Sequence, residues 1–206
     1  MKVLIGTPIH ESKDYSMQKW LRNVAELQSV TPADLLLVDS SPGEKYLETV
    51  KDYCRKTGAK NYKLQHIEVH QANGMDEMVG RSREAIRQEI LAHDYDAWLS
   101  WECDLIIPKN TLEKLTALMV KGDYQIINPN TWSSVVKTEP ITNFGCALIR
   151  RDCLQKYGFL LEYPNMPGSW HNGEAWFKKQ VLEGGGNYIE VYGLINPVHR
   201  IMPSGQ

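Results

Sequence analysis

Short apolar runs that break off into turn residues or acids alternate along this chain with longer stretches whose apolar residues recur at helical spacing. Val3-Leu4-Ile5-Gly6 reads as a strand, Thr7-Pro8 as a turn, and Met17, Trp20, Leu21, Val24 and Leu27 as the buried stripe of a helix. Asp34-Leu35-Leu36-Leu37-Val38-Asp39 repeats the pattern of an apolar run ending in an acid, and Ser40-Ser41-Pro42-Gly43 breaks the chain before a helix over Lys45 to Lys56. Leu64 to Val69 predicts a third strand. Asp76 to Ala92 predicts a helix with Met78, Val79, Ile86 and Ile90 on one side, and this leads into the apolar segment from Trp98. After a helical stretch from Asn110, the reading gives strands at Tyr124-Gln125-Ile126-Ile127 and Phe144 to Ile149, with a polar loop between them from Asn128 to Pro140. A helix over Gly173 to Leu182 is stopped by Gly184-Gly185-Gly186, and Tyr188 to Val191 forms a last strand. Alternating strands and helices with continuous apolar strands predict an α/β fold. Its mostly parallel central sheet is covered on both faces, with ligands bound beyond the carboxyl ends of the strands.

With 206 residues, 42% of them hydrophobic, the chain suits one sizeable core, and the expectation is a single domain over 1–206. Twenty-three basic against twenty-five acidic residues leave a net charge of −2, which supplies no broad footprint for long nucleic acid or an anionic membrane. A modified DNA base as binding partner is compatible with that balance. Cys54, Cys103, Cys146 and Cys153 form no C-x-x-C pair, so neither a zinc ribbon nor a redox motif is suggested, and reduced thiols are expected. No run is long enough to span a bilayer, and Met1 to Gly6 is too short for a signal peptide; the expected location is the cytoplasm.

The densest chemistry lies in Trp98-Leu99-Ser100-Trp101-Glu102-Cys103-Asp104. In an extended chain, alternation points Glu102 and Asp104 the same way, and two acids at a strand end can share a divalent cation that keeps positions open for phosphate oxygens. The plainer reading is that they cap the next helix. Asp39 has the same two readings, as a ligand group facing the same crevice or as a cap for the turn at Ser40-Ser41. Arg83 and Arg87 are either anion-binding groups or solvated helix charges paired with Glu84 and Glu89. Trp98 reads as core, whereas Trp101, Trp132, Trp170 and Trp176 fall near the expected site, where an indole could stack on a ring, a role assigned to Trp170.

In their order along the chain these signals resemble the GT-A glycosyltransferases, in particular the family 2-like branch. The resemblance implies the GT-A, nucleotide-diphospho-sugar transferase fold. Residues 1–108 would form a nucleotide-binding half and 109–206 a donor-sugar and acceptor half. Thr7-Pro8 matches the family's loop at the nucleotide base, and Asp39 its base- or ribose-binding acid. Arg83, in Gly80-Arg81-Ser82-Arg83, matches its diphosphate-binding Arg, although Glu84 stands where an Asn usually follows. Glu102-Cys103-Asp104 stands for the Asp-x-Asp motif, with Glu102 facing ribose or metal and Asp104 ligating the metal. Gly145, in Gly145-Cys146-Ala147-Leu148, matches the segment under the donor sugar, and Pro197-Val198-His199 matches the terminal His that completes the metal shell. Gly173-Glu174-Ala175-Trp176-Phe177 stands where the family has Gly-Glu-Asp and aromatic residues. Ala175 therefore replaces the usual base, leaving Glu174, with His171 as the alternative.

The implied activity is metal-dependent transfer of a sugar from a UDP- or GDP-type donor to an acceptor hydroxyl, with Mn²⁺ or Mg²⁺ as cofactor and the stereochemical course open. One alternative is a catalytically degenerate module that binds nucleotide-sugar or protein, for which Ala175 is the support. The other is a nucleotidyltransferase, which would carry a Gly-rich basic loop where this chain has Gly6-Thr7-Pro8-Ile9-His10-Glu11.

Overall fold

The computed structural model describes residues 1–129, 144–162 and 168–203. A seven-stranded sheet runs through the molecule. Its strands are β1 (Val3–Ile9), β2 (Asp34–Asp39), β3 (Tyr62–His66), β4 (Ala97–Trp101), β6 (Ile126–Pro129), β7 (Cys146–Arg150) and β8 (Tyr188–Val191), in the order β3-β2-β1-β4-β7-β6-β8. A two-stranded antiparallel piece, β5 (Leu105–Ile106) with β9 (His199–Arg200), lies apart from it. The helices are α1 (Asp14–Val30), α2 (Lys45–Thr57), α3 (Met75–Ala92), α4 (Thr111–Gly122), α5 (Arg151–Lys156) and α6 (Gly173–Glu183).

The alternation of side chains along the strands divides the core in two. Val3 and Ile5 of β1 with Leu35 and Leu37 of β2 face Met17, Trp20, Leu21, Val24 and Leu27 of α1. Leu4, Leu36 and Val38 face the other way, into a cluster with Ile86 and Ile90 of α3, Trp98 and Phe177. Strands so buried on both sides need continuous apolar runs, which is what Leu35-Leu36-Leu37-Val38 and Trp98-Leu99 supply. Close approach of Ile86 of α3 and Trp98 of β4 explains Gly6: a β-carbon there would run into the Ile86 side chain and lie 2.6 Å from the Trp98 Nε1 atom, which donates to the Gly6 carbonyl at 2.9 Å.

The central sheet is mostly parallel, as expected, and the limits of one strand need correcting. The sheet is parallel from β3 through β4, but β7 runs antiparallel to both β4 and β6. Apolar runs show that a strand is buried without showing its direction. The third strand spans Tyr62–His66 rather than Leu64 to Val69, because pairing with β2 from Leu35↔Tyr62 to Asp39↔His66 sets its limits, whatever its own hydropathy.

The site is positioned by the parting of β1 and β4. Their ladder ends at Gly6↔Ser100, whereas β1 stays paired with β2 as far as Ile9↔Asp39. Pro8, which has no N–H to donate, thus lies beyond the last rung shared with β4. With β1 flanked on its two sides by β2 and β4, a crevice opens at the carboxyl ends of the strands, where doubly wound sheets hold ligands.

Candidate active site

The crevice is a cavity of about 320 Å³. One wall is Pro8, Ile9 and His10 beyond β1, another is Ser100, Trp101, Glu102, Cys103 and Asp104 at the end of β4, and Met75, Met78, Val79 and Arg83 of α3 form a third. Lys13 and Arg200 complete it. Neither basic residue figures in the expected site.

Glu102 and Asp104 do lie together at the strand end, but both are already paired. Asp104 Oδ2 accepts from Lys13 Nζ at 2.6 Å and Oδ1 from Arg200 at 2.7 Å, with the Tyr15 hydroxyl 3.5 Å away. A second nitrogen of Arg200 donates to Glu102 Oε2 at 2.9 Å. Lys13 comes from the single helical turn Glu11–Lys13 after β1, and Arg200 from β9, whose partnership with β5 (Leu105↔Arg200) places it over the acids. Burial opposes the charge on Lys13, but its bond and attraction to Asp104 outweigh this and hold its pKa above the usual value. The same balance of burial against Glu102 and Asp104 raises Arg200.

This arrangement does not fit the cation shell that the resemblance implies. Successive strand residues point to opposite faces, so with Arg200 turned to the acids its neighbour His199 is turned away and lies exposed. Among the described residues no three His, Cys, Asp or Glu side chains are grouped to hold a metal ion. A divalent cation at Asp104 would have to displace two cationic side chains from its two oxygens.

Arg83 projects from α3. Its guanidinium, 12% exposed, lines the cavity and pairs with Glu174 in the first turn of α6. Its Nε is buried and has no hydrogen-bond partner among the described residues. Burial raises the pKa of Glu174 despite the lowering effect of Arg83, so the carboxylate holds a proton more readily than usual. Ala175 is exposed on the other side of α6, in a shallow depression with His171, Asn172, Trp176 and Lys179. His171 Nδ1 donates to Asp76 Oδ2 at 2.7 Å on the surface. Arg87 serves the fold, its Nε donating to the carbonyls of Leu154 and Tyr157 at the end of α5.

Other expected ligand residues carry structural bonds. Asp39 is fully buried, its Oδ1 accepting from Ser41 N at 3.0 Å and Ser41 Oγ at 2.6 Å and its Oδ2 facing His66 Nδ1 at 3.2 Å; the adjacent Ser40 lines the cavity. Thr7 is buried beneath the crevice and donates to the Trp101 carbonyl at 2.8 Å. The Gly145 carbonyl accepts from Glu102 N at 2.7 Å, tying β7 to the acidic loop. Trp170 packs over Gly80 of α3, with Arg81 above its ring, and Trp101 is core, edge-on to Trp20. Trp132 and residues 130–140 of the expected loop lie outside the described residues, while Asn128 and Pro129 belong to β6 rather than to a loop.

No protein-family model and no curated protein matches the chain. Among solved structures it is similar to S. aureus TarS, with a TM-score of 0.65 and 17% identity over 94% of this chain and 35% of that one. It is also similar to S. aureus TarS 1-349 in complex with UDP, with a TM-score of 0.63 and 16% identity over 93% of this chain and 61% of that one. A third likeness is to the mannosyltransferase PcManGT from Pyrobaculum calidifontis in complex with GDP-Man and Mn²⁺, with a TM-score of 0.68 and 13% identity over 94% of this chain and 55% of that one. The chain thus spans between a third and two thirds of the length of these structures. Among the described residues no helix is long and apolar enough to cross a membrane. The chain has the mixed α/β fold of these glycosyltransferases, with its cavity at the carboxyl ends of the strands.

Proposed function

We propose that this protein transfers a sugar from a nucleotide-diphospho-sugar to an acceptor hydroxyl, with donor bound in the crevice between β1 and β4. The observation that carries this is Arg83, a guanidinium in the cavity wall whose buried Nε lacks a partner among the described residues, at the sheet edge where such folds hold phosphates. Support comes from the fold it shares with transferases whose structures hold UDP and, in another, GDP-Man.

In this reading the nucleoside lies against Pro8, Ile9 and Ser40, and the diphosphate reaches Arg83. Bond cleavage at the anomeric carbon gathers negative charge on the departing diphosphate, and a preorganised guanidinium in a dry wall stabilises that charge more than it stabilises the bound donor. Glu174, made more basic by burial, accepts the acceptor's proton as the glycosidic bond forms. Glu102 and Asp104 hold Lys13 and Arg200 in place.

The test is release of nucleoside diphosphate from UDP- and GDP-sugars, with the Arg83→Met and Glu174→Gln variants beside the parent. Turnover reduced about a hundredfold or more in either variant, with donor still bound by Glu174→Gln, is the expected result. Donor binding without any turnover would assign the chain to the binding modules.

A further inference from the structure

Resting on the donor site proposed above, we infer that Lys13 and Arg200 take the place of a divalent cation, so that the diphosphate is held by three side-chain cations and donor binding needs no metal. The first ground is occupancy. Both oxygens of Asp104, the acid expected to ligate the ion, are engaged by Lys13 at 2.6 Å and Arg200 at 2.7 Å, and Arg200 also joins Glu102 at 2.9 Å. The second is the register of β9, which gives the position over the acids to Arg200 and leaves His199 exposed.

The third ground is charge. Lys13 and Arg200 balance Glu102 and Asp104, and Arg83 is paired with Glu174, so the acids at the end of β4 carry no net negative charge with which to draw in a divalent cation. An incoming Mn²⁺ meets carboxylates already neutralised by their partners, whereas a diphosphate meets three basic side chains in the cavity wall. Both side chains, Lys13 and Arg200, line the cavity while bonded to the acids. The carboxylates therefore act as positioning residues, holding the two basic groups at the crevice mouth ready for phosphate oxygens. Arg200 also belongs to the small β5–β9 piece, so its side chain starts from a hydrogen-bonded strand rather than from a free loop.

Calorimetric titration of UDP and of GDP into the protein, first in EDTA and then with excess Mn²⁺, tests this directly. The expected result is binding of one nucleoside diphosphate in EDTA, with a Kd that Mn²⁺ changes by less than about threefold. Lys13→Met and Arg200→Met should each weaken it by about tenfold or more, the scale of a lost charge-assisted bond. Lys13→Arg, which keeps the charge, should retain binding, and melting curves on each variant separate lost contact from lost fold. Tight binding that appears only with Mn²⁺ would overturn the inference while leaving the donor site standing. Binding in EDTA that neither Met variant weakens would overturn it too. Failure of both nucleotides to bind under either condition would overturn the donor site and the inference with it.

Discussion

Asp104→Asn keeps the shape of the side chain and removes the charge on which two basic groups converge. In the native protein the Asp104 side chain is 4% exposed, while Lys13 and Arg200 keep 41% and 26% of theirs in contact with solvent. Removing one member of a fully buried ion pair costs about 3–5 kcal/mol, and of a fully exposed pair about 0.2–1 kcal/mol. The two cations are partly hydrated and Arg200 keeps Glu102 at 2.9 Å, so the variant belongs between these limits, at about 1–3 kcal/mol. With a urea slope of about 2 kcal/mol/M, the unfolding midpoint falls by about 0.5–1.5 M. Adding Lys13→Met to the variant removes one of the stranded charges, and the double-mutant cycle should show a favourable coupling of about 1 kcal/mol. A midpoint for Asp104→Asn within about 0.2 M of the parent, or above it, would refute the pairing of these groups in the folded protein.

Two further outcomes follow from packing and burial. Gly80→Val places a branched side chain where even a β-carbon lies 2.6 Å from Trp170 Cε3, so it should cost about 1–3 kcal/mol and shift the tryptophan fluorescence; unchanged stability and emission would show that Trp170 does not lie on α3. Burial pushes the thiols of Cys103, Cys146 and Cys153 up to about 12 and that of Cys54 to about 11, while unfolded thiols ionise near 8.5. Between those values the unfolded chain holds fewer protons than the folded one, so stability is fully present below about pH 8 and declines as pH rises toward 12. The raised pKa of Lys13 acts in the same direction, its contribution being lost only above its ordinary value of 10.5. Urea midpoints measured from about pH 7 to about pH 10 check this, and a midpoint that rises over that range would contradict it.

Much of the fold was legible because burial on both faces of a parallel strand demands an unbroken apolar run, and Asp34–Asp39 and Ala97–Trp101 have one. The helix over Met75–Ala92 was equally plain from its spacing. The direction of β7 was not, since Cys146-Ala147-Leu148-Ile149 would be apolar whichever way it ran. At the site, Arg83 and the acids at the end of β4 could be found from their place after strands and on a helix facing them. Lys13 and Arg200 could not be ranked this way. Lys13 differs from other surface lysines only by following β1 within a few residues, a signal that its nearness to the same sheet edge as Asp104 could have provided. For Arg200, the choice between it and His199 is made by the two-residue register with Leu105 and Ile106, segments nearly a hundred positions apart whose pairing leaves no mark in local sequence. Asp39 shows the opposite difficulty: an acid at a strand end looks the same whether it meets a ligand or, as its bonds to Ser41 and His66 show, holds its own turn.

Thermal unfolding in the presence of UDP-, GDP-, dTDP- and CMP-sugars asks most directly whether this crevice holds a nucleotide-sugar. A ligand at a hundred times its dissociation constant adds about 2.7 kcal/mol, which for a chain of this size raises the midpoint by about 5–10 °C. Such a rise is expected with donors of one nucleotide, and its loss in Arg83→Met. No rise with any of the four donors, with or without Mn²⁺, would contradict the proposed donor site.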